Sequence, residues 1–233
     1  MNPHPKADNF ERPSVTVDVV IFAFDPRAGL KVMLVRRGVE PFRGRWALPG
    51  GFVRPDETID AAARRELEEE TGLRDVFLEQ LYTFGDPGRD PRERVITVAH
   101  YALVPNEGHA VRATGDAAAA RWFDADGALG LAFDHDAILA AARERLRGKV
   151  RYQPIGFELL PDVFPLRDLQ RLYEVVLGRE LDKRNFRKKI LQMNVLRETA
   201  ELETDVRHRP SRLYAFDRDN YRRLTEAGFN FEV

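Results

Sequence analysis

The segment GGFVRPDETIDAAARRELEEETGL, residues 50–73, constrains this chain more than any other stretch, because seven carboxylates fall between Asp56 and Glu70. On a helix entered from the Gly50-Gly51 turn, Glu66, Glu69 and Glu70 stand at i, i+3 and i+4 and share one face, with Glu68 turned away. Carboxylates so placed repel one another, by about 4 kcal/mol per pair at about 4 Å and an effective dielectric of about 20. A cation is the natural relief. Oxygen ligands on one helix face, with Glu57 reaching from the preceding loop, suit Mg²⁺ or Mn²⁺, hard ions that keep positions open for water and phosphate oxygens. Arg65 can fix the geometry through a bidentate pair with one carboxylate, and the glycines let the backbone turn sharply into the site. For a bare Glu run the plain alternative is a solvated surface helix.

The chain has 233 residues, enough for two cores of unequal size, and its 43% hydrophobic and 32% charged content is that of a folded soluble protein. Without cysteine there is neither a disulfide nor a zinc-thiolate site, which makes a reducing cytoplasm the expected location. The longest apolar run, VTVDVVIFAF, is interrupted by Asp18 and falls well short of the roughly 20 residues of a membrane span. The first ten residues lack the apolar stretch of a secretion signal. No membrane partner is expected.

Two regimes of periodicity divide the sequence. From Pro13 to about Phe123, β-branched and aromatic runs (SVTVDVVIFAF, KVMLVRR, RVITVAHYALV) alternate with turn residues around the 58–70 helix, a mixed α+β pattern. The Ala-rich run at 117–120 reads as a loop or helix turn. A second helix is expected from Asp134 to Leu146, with Ile138, Leu139, Ala142 and Leu146 on one face and Gly148 as its stop. Residues 148–164 read as a connector able to carry a strand. This places a first domain at 1–150 and a second at 151–233. In the second, Leu169, Leu172, Tyr173, Val176 and Leu177 follow the helical rule to Gly178, and Asp182 caps a further helix, DKRNFRKKILQMN. Strand-like pieces near 195–202 and 212–216 complete a helix-turn-helix followed by a hairpin.

The acidic segment belongs to a longer pattern. Gly51, then Glu57, then Arg65-Glu66-Leu67, Glu69-Glu70 and Gly72-Leu73 resemble the Nudix hydrolase signature with every specified position filled, and RGRWALPGG precedes it. The resemblance implies an α/β/α sandwich, a loop-helix-loop for metal and pyrophosphate, and hydrolysis of a nucleoside diphosphate linked to another moiety. Arg65, Glu66, Glu69 and Glu70 are then the catalytic candidates, and Glu57, Glu66, Glu69 and Glu70 the metal ligands. The residue taking the proton stays open between a glutamate of the box and an acid on a distant loop. For the ligand, Arg36 and Arg37 at the end of KVMLVRR can meet phosphate or ribose, and Trp46 can stack on a base, beside Gly50 and Gly51. The plain alternatives are a surface strand end and a core aromatic. The loop GDPGRDPRER, with Arg89 and Arg92, either closes over an anionic ligand or is a solvated hairpin loop. His135 reads as a helix-start residue.

Residues 182–189 carry five bases and one acid. Phe186, Ile190 and Met193 share one side of that helix, and Lys183, Arg184, Arg187 and Lys188 the other; the following hairpin loop holds Arg207, Arg209 and Arg212. This resembles a winged helix, with a recognition helix for the major groove and a wing for phosphates. Over nearly the whole chain the combination resembles Nudix-related transcriptional regulators of NAD metabolism. The resemblance implies a homodimer that binds double-stranded DNA under control of an ADP-ribose-like nucleotide. Related regulators respond to sugars, and many carry a degenerate box, whereas this one is complete and leaves turnover open. The alternative is a metal-dependent Nudix pyrophosphatase, ADP-ribose pyrophosphatase-like, with an accessory C-terminal domain.

Overall fold

The computed structural model describes residues 12–105, 117–127 (117 and 118 by backbone), 130–204 and 210–233. In chain order its elements are β1 (Ser14–Asp25), β2 (Gly29–Arg37), β3 (Trp46–Ala47), β4 (Gly50–Phe52), α1 (Ile59–Thr71), β5 (Phe77–Phe84), β6 (Val95–Pro105), β7 (Ala117–Asp124) and α2 (His135–Lys149). A 3-10 helix at Pro154–Leu159 leads into β8 (Phe164–Pro165), α3 (Leu166–Leu177), α4 (Lys183–Gln192), β9 (Leu196–Leu202), β10 (Arg212–Phe216) and α5 (Arg218–Glu226).

The first seven strands form one sheet in the order β3-β2-β1-β6-β5, with β4 also on β1 and β7 on β2. β1 and β6 run parallel at its centre, from Ser14 beside Val95 to Phe24 beside Pro105, and all other pairs are antiparallel. Because successive side chains alternate faces, β1 is apolar on both. Val17, Val19, Ile21 and Ala23 meet Ala62, Ala63 and Leu67 of α1, while Val20, Phe22 and Phe24 meet Ile138, Leu139, Ala142 and Leu146 of α2. These layers make the α/β/α sandwich.

The 3-10 helix, β8, α3, α4 and the β9-β10 hairpin follow the order of a winged helix, with a three-stranded sheet ordered β8-β10-β9. α3 buries the stripe Leu169, Leu172, Tyr173, Val176 and Leu177 and stops at Gly178, whose φ of 67° is the left-handed conformation that favours glycine. Asp182 accepts from Asn185 N–H at 2.8 Å and starts α4.

Separate cores for the two regions are not what forms. One apolar cluster runs from Val20 and Phe22 through Phe157, Leu172 and Tyr173 to Phe186, Ile190 and Phe231. On its winged-helix side Phe157 stacks on Phe216 with ring centroids 4.3 Å apart. Other local expectations also change. α2 continues through Gly148 to Lys149, and Val150, beyond the expected stop, is buried. The 117–120 run is strand: β7 pairs with β2, Ala120 opposite Val35 and Arg121 opposite Leu34. The sequence reading lacked α5, which buries none of its residues fully. Among the described residues no helix is long and apolar enough to cross a membrane.

Candidate functional site

α1 begins where the Thr58 side chain accepts from Ala61 N–H at 3.2 Å and ends at Gly72, φ 75°. Its position under β4 places Arg65 at the centre of the acidic cluster. Arg65 grips Glu57 with two parallel hydrogen bonds, Nε to Oε2 at 2.9 Å and Nη2 to Oε1 at 2.7 Å, and its Nη1 reaches Glu66 at 2.6 Å and Glu69 at 3.0 Å. This contact holds the Glu57 carboxyl at about 2, through the hydrogen bonds first and the charge second. Glu57 was expected among the metal ligands. Both its oxygens accept from Arg65, which it helps to orient. Glu68 turns away and pairs with Arg74.

Gly50 and Gly51 are required by close approach. A Cβ on Gly50 would lie 2.2 Å from the Val17 carbonyl oxygen, and one on Gly51 would lie 2.3 Å from Glu66 Oε1. Glu70 Oε2 accepts from Gly50 N–H at 3.2 Å. Burial first and neighbouring Glu66 second push the Glu70 carboxyl up to about 8, and burial raises Glu66 as well.

Beneath this cluster lies a buried network absent from the sequence reading. Arg89 donates from Nη2 to Asp18 at 3.0 Å and from Nε and Nη2 to Asp134 at 2.9 and 2.7 Å. Leu48 N–H donates to His135 Nδ1 at 2.9 Å, so the ring proton sits on Nε2, 3.4 Å from Asp18. Burial raises the Asp18 carboxyl, but His135 and Arg89 outweigh it and hold it at about 2. Arg89 was expected to meet an anionic ligand; it is buried, and two carboxylates share it. One signal was available: Asp18 is a lone carboxylate inside an apolar strand and needs a partner.

Arg65, Glu66, Glu69, Glu70, Asp18, Arg89 and His135 line one cavity of about 590 Å³, together with Arg36, Arg37 and Arg92. Arg36 and Arg37 are anchored through their Nε atoms to the carbonyls of Gly44 and Pro41, at 3.1 and 2.7 Å. Arg37 and Arg92 flank the Phe133 ring at 4.7 and 5.9 Å, and Arg92 also lies 5.6 Å from Phe52. Phe133 and Phe52 are the aromatic walls. Trp46, expected there, is on the opposite face: in two-residue β3 Ala47 points into the cavity, which sends Trp46 against Phe123, 4.7 Å between centroids.

In α4, Phe186 and Ile190 are buried, whereas Lys183, Arg184 and Lys188 are exposed and Arg187 is half-buried. None of these four bases has an ion-pair partner among the described residues, and the buried Nε of Arg187 has no acceptor there. Arg212, at the start of β10, is exposed and pairs with Glu198. Arg207 and Arg209 lie outside the described residues.

The chain matches the NUDIX domain model over residues 13–144 and the NrtR DNA-binding winged helix domain model over residues 156–216. It is 36% identical, over 94% of its length and 87% of the relative's, to the ADPR responsive transcriptional repressor NtrR of Acinetobacter baylyi. The chain belongs to the NrtR family. Shewanella oneidensis NrtR complexed with a 27mer DNA superposes with a TM-score of 0.79 at 34% identity, covering 93% of this chain and 97% of that one. The NUDIX domain of the same NrtR, complexed with ADP ribose, matches 61% of this chain and 94% of its own, with a TM-score of 0.55 at 34% identity. Nudix hydrolases as a class work with a divalent cation. The donors in this NrtR family member are of the kind such an ion takes: all are hard oxygens, Glu66 and Glu70 are drawn out of water, and Gly51 leaves open the space that a Cβ would fill against Glu66; with Arg65 between Glu66 and Glu69, no three carboxylates among the described residues converge on one point as they stand.

Proposed function

We propose that this chain is a transcriptional repressor of NAD-related genes whose hold on operator DNA is set by ADP-ribose, or a close nucleoside diphosphate relative, in the Nudix cavity. One observation carries the reading. A cavity walled by arginines and carboxylates and a winged helix whose Lys183, Arg184, Arg187 and Lys188 have no ion-pair partner among the described residues occupy one chain, which is 36% identical over 94% of its length to an ADPR responsive repressor.

The cavity suits a pyrophosphate between two sugars. Arg36 and Arg37 present guanidinium groups to phosphate oxygens, Arg92, held by Asp90 through Nε and Nη2, offers its Nη1, and Phe133 and Phe52 give an apolar wall for a base or ribose. Glu66, Glu69 and Glu70 would hold Mg²⁺ or Mn²⁺, with Arg65 fixing the first two. On the DNA side, α4 would enter the major groove with Arg184, Arg187 and Lys188, Lys183 would meet a phosphate at its N-terminus, and the wing with Arg207, Arg209 and Arg212 would follow the backbone. Domains at 1–150 and 151–233 divide the roles. A homodimer belongs to the reading, because a two-fold pair presents two recognition helices to half-sites about 34–36 Å apart. Its place is the cytoplasm.

A second reading, hydrolysis of the bound nucleotide, is favoured by the complete carboxylate set. When bound, the cation would neutralise pyrophosphate oxygens and lower the pKa of an attacking water. Glu70, protonated at neutral pH in the free protein, would have to yield that proton as the site charges. The test is operator titration with and without ADP-ribose, beside product analysis with Mg²⁺ or Mn²⁺ supplied. Release of DNA without turnover supports the repressor alone; turnover lost in Glu69→Gln supports both; turnover without DNA binding leaves the pyrophosphatase.

A further inference from the structure

The winged helix does not present its basic surface alone. The turn between β1 and β2, Asp25-Pro26-Arg27, comes from the Nudix region yet forms one wall of a crevice of about 830 Å³ whose other wall is α3 and the start of α4, including Arg171, Lys183 and Arg187. The turn is a fixed structure. Asp25 accepts from the backbone N–H groups of Arg27 and Ala28 at 2.7 and 3.0 Å, and at Gly29, φ 84°, an added Cβ would lie 4.0 Å from Val175 Cγ1 on α3. Arg27 is exposed and has no ion-pair partner among the described residues, and the same holds for Lys183 and Arg187 across the crevice. Arg171, by contrast, is 3.9 Å from Glu174, and Arg167 is held by Glu203.

We propose that this turn is part of the DNA-facing surface and that Arg27 makes a backbone-phosphate contact from the Nudix region, beside the N-terminus of the recognition helix. Five bases against three acids, Asp25, Asp168 and Glu174, line the crevice, and the bases without an ion-pair partner among the described residues, Arg27 on one wall and Lys183 and Arg187 on the other, are complementary to a polyanion; the wall carrying Lys183 and Arg187 is the one turned to DNA. The inference rests on the repressor reading above, which supplies the occupant. It goes beyond it by placing a DNA contact outside the winged helix. It also gives the cavity a short route to DNA: β1 carries Asp18 at the cavity and Asp25 at the crevice, roughly 23 Å apart at about 3.3 Å per residue.

The test measures duplex binding by the full chain at several salt concentrations, comparing Arg27→Ala and Arg27→Lys with the wild type on a promoter fragment and on a random duplex of the same length. The residue is exposed, so both variants should fold, and unchanged thermal stabilisation by ADP-ribose checks the Nudix region. Arg27→Ala is expected to weaken binding severalfold, alike for operator and random duplex, and to make the log-log salt dependence shallower by about 1 per protomer; Arg27→Lys should keep the wild-type slope. Wild-type affinity and slope in Arg27→Ala would overturn the proposal while leaving the repressor reading intact, and tighter binding would recast the turn as a barrier and overturn it too. If the wild type bound no duplex at all, the repressor reading would fail and this contact with it.

Discussion

Gly51 and Glu66 approach so closely that a Cβ on the glycine would meet the carboxylate oxygen at 2.3 Å. The contact joins β4 to α1, and it makes the empty side of a glycine part of the space in front of a ligand. Alanine at 51 is expected to displace a flexible carboxylate and spare the fold, with about a tenfold or greater loss of Mg²⁺ or Mn²⁺ affinity. Alanine at 50 meets rigid backbone, the Val17 carbonyl at 2.2 Å, and should cost about 1–3 kcal/mol of stability or more. Calorimetry and thermal melts of the two variants separate these outcomes; equal stability and equal metal affinity would contradict both.

The buried Glu70 carboxyl, pushed up to about 8 from an ordinary 4.5, ties stability to pH. The folded state keeps a proton that the unfolded chain has lost. The benefit is therefore full below about pH 4.5 and disappears as pH rises through 8, by up to about 1.4 kcal/mol per pH unit in between. Without divalent cation, the melting temperature should fall from pH 6 to 9, and Glu70→Gln should flatten that fall. A parallel decline in both proteins would show that Glu70 is not the group responsible.

Arg89 is shared between Asp18 and Asp134 at 3.0 and 2.7 Å, with Arg89 and Asp18 buried and Asp134 half-buried. Arg89→Ala leaves two carboxylates without their partner and should destabilise by about 3–5 kcal/mol. Chemical denaturation measures it. A loss within about 0.5 kcal/mol would mean that water replaces the guanidinium.

What was legible in the sequence was local. The acidic face of α1 and the apolar stripe of α3 depend on spacings of three and four residues, which a helix converts directly into a shared face. The network beneath the box was not legible, because Asp18, Arg89 and His135 come from strand, loop and helix far apart in the chain and meet only after the sheet forms. Trp46 was misplaced for a related reason. In a strand of only two residues nothing in the pattern tells which face is inward; Ala47 pairs with Val35, both lining the cavity, and Trp46 packs on Phe123 instead. The Ala-rich strand β7 offers almost no β-branched side chains around 117–120 and is held by its partner β2. α5 has a mostly polar sequence and a single aromatic, Tyr221, packed 5.7 Å from Phe216.

Lys188 and Arg184 stand exposed on α4 without carboxylate partners among the described residues. Replacing either with alanine should weaken operator and random duplex, with the salt slope shallower by about 1 for each phosphate contact removed, whereas Arg187→Ala should relax sequence preference if it reads a guanine edge. Anisotropy titrations at two salt concentrations distinguish these patterns. Unchanged slopes in both would assign α4 another role.

Linkage makes one experiment the most direct test of ligand-controlled repression. The full chain is titrated onto a promoter duplex in the presence and absence of ADP-ribose, and ADP-ribose is titrated onto the free protein and onto the complex. The account predicts that ADP-ribose weakens DNA binding and that DNA weakens ADP-ribose binding by the same factor. Selective DNA binding that ADP-ribose leaves unchanged, with ADP-ribose bound equally by free protein and complex, would contradict it.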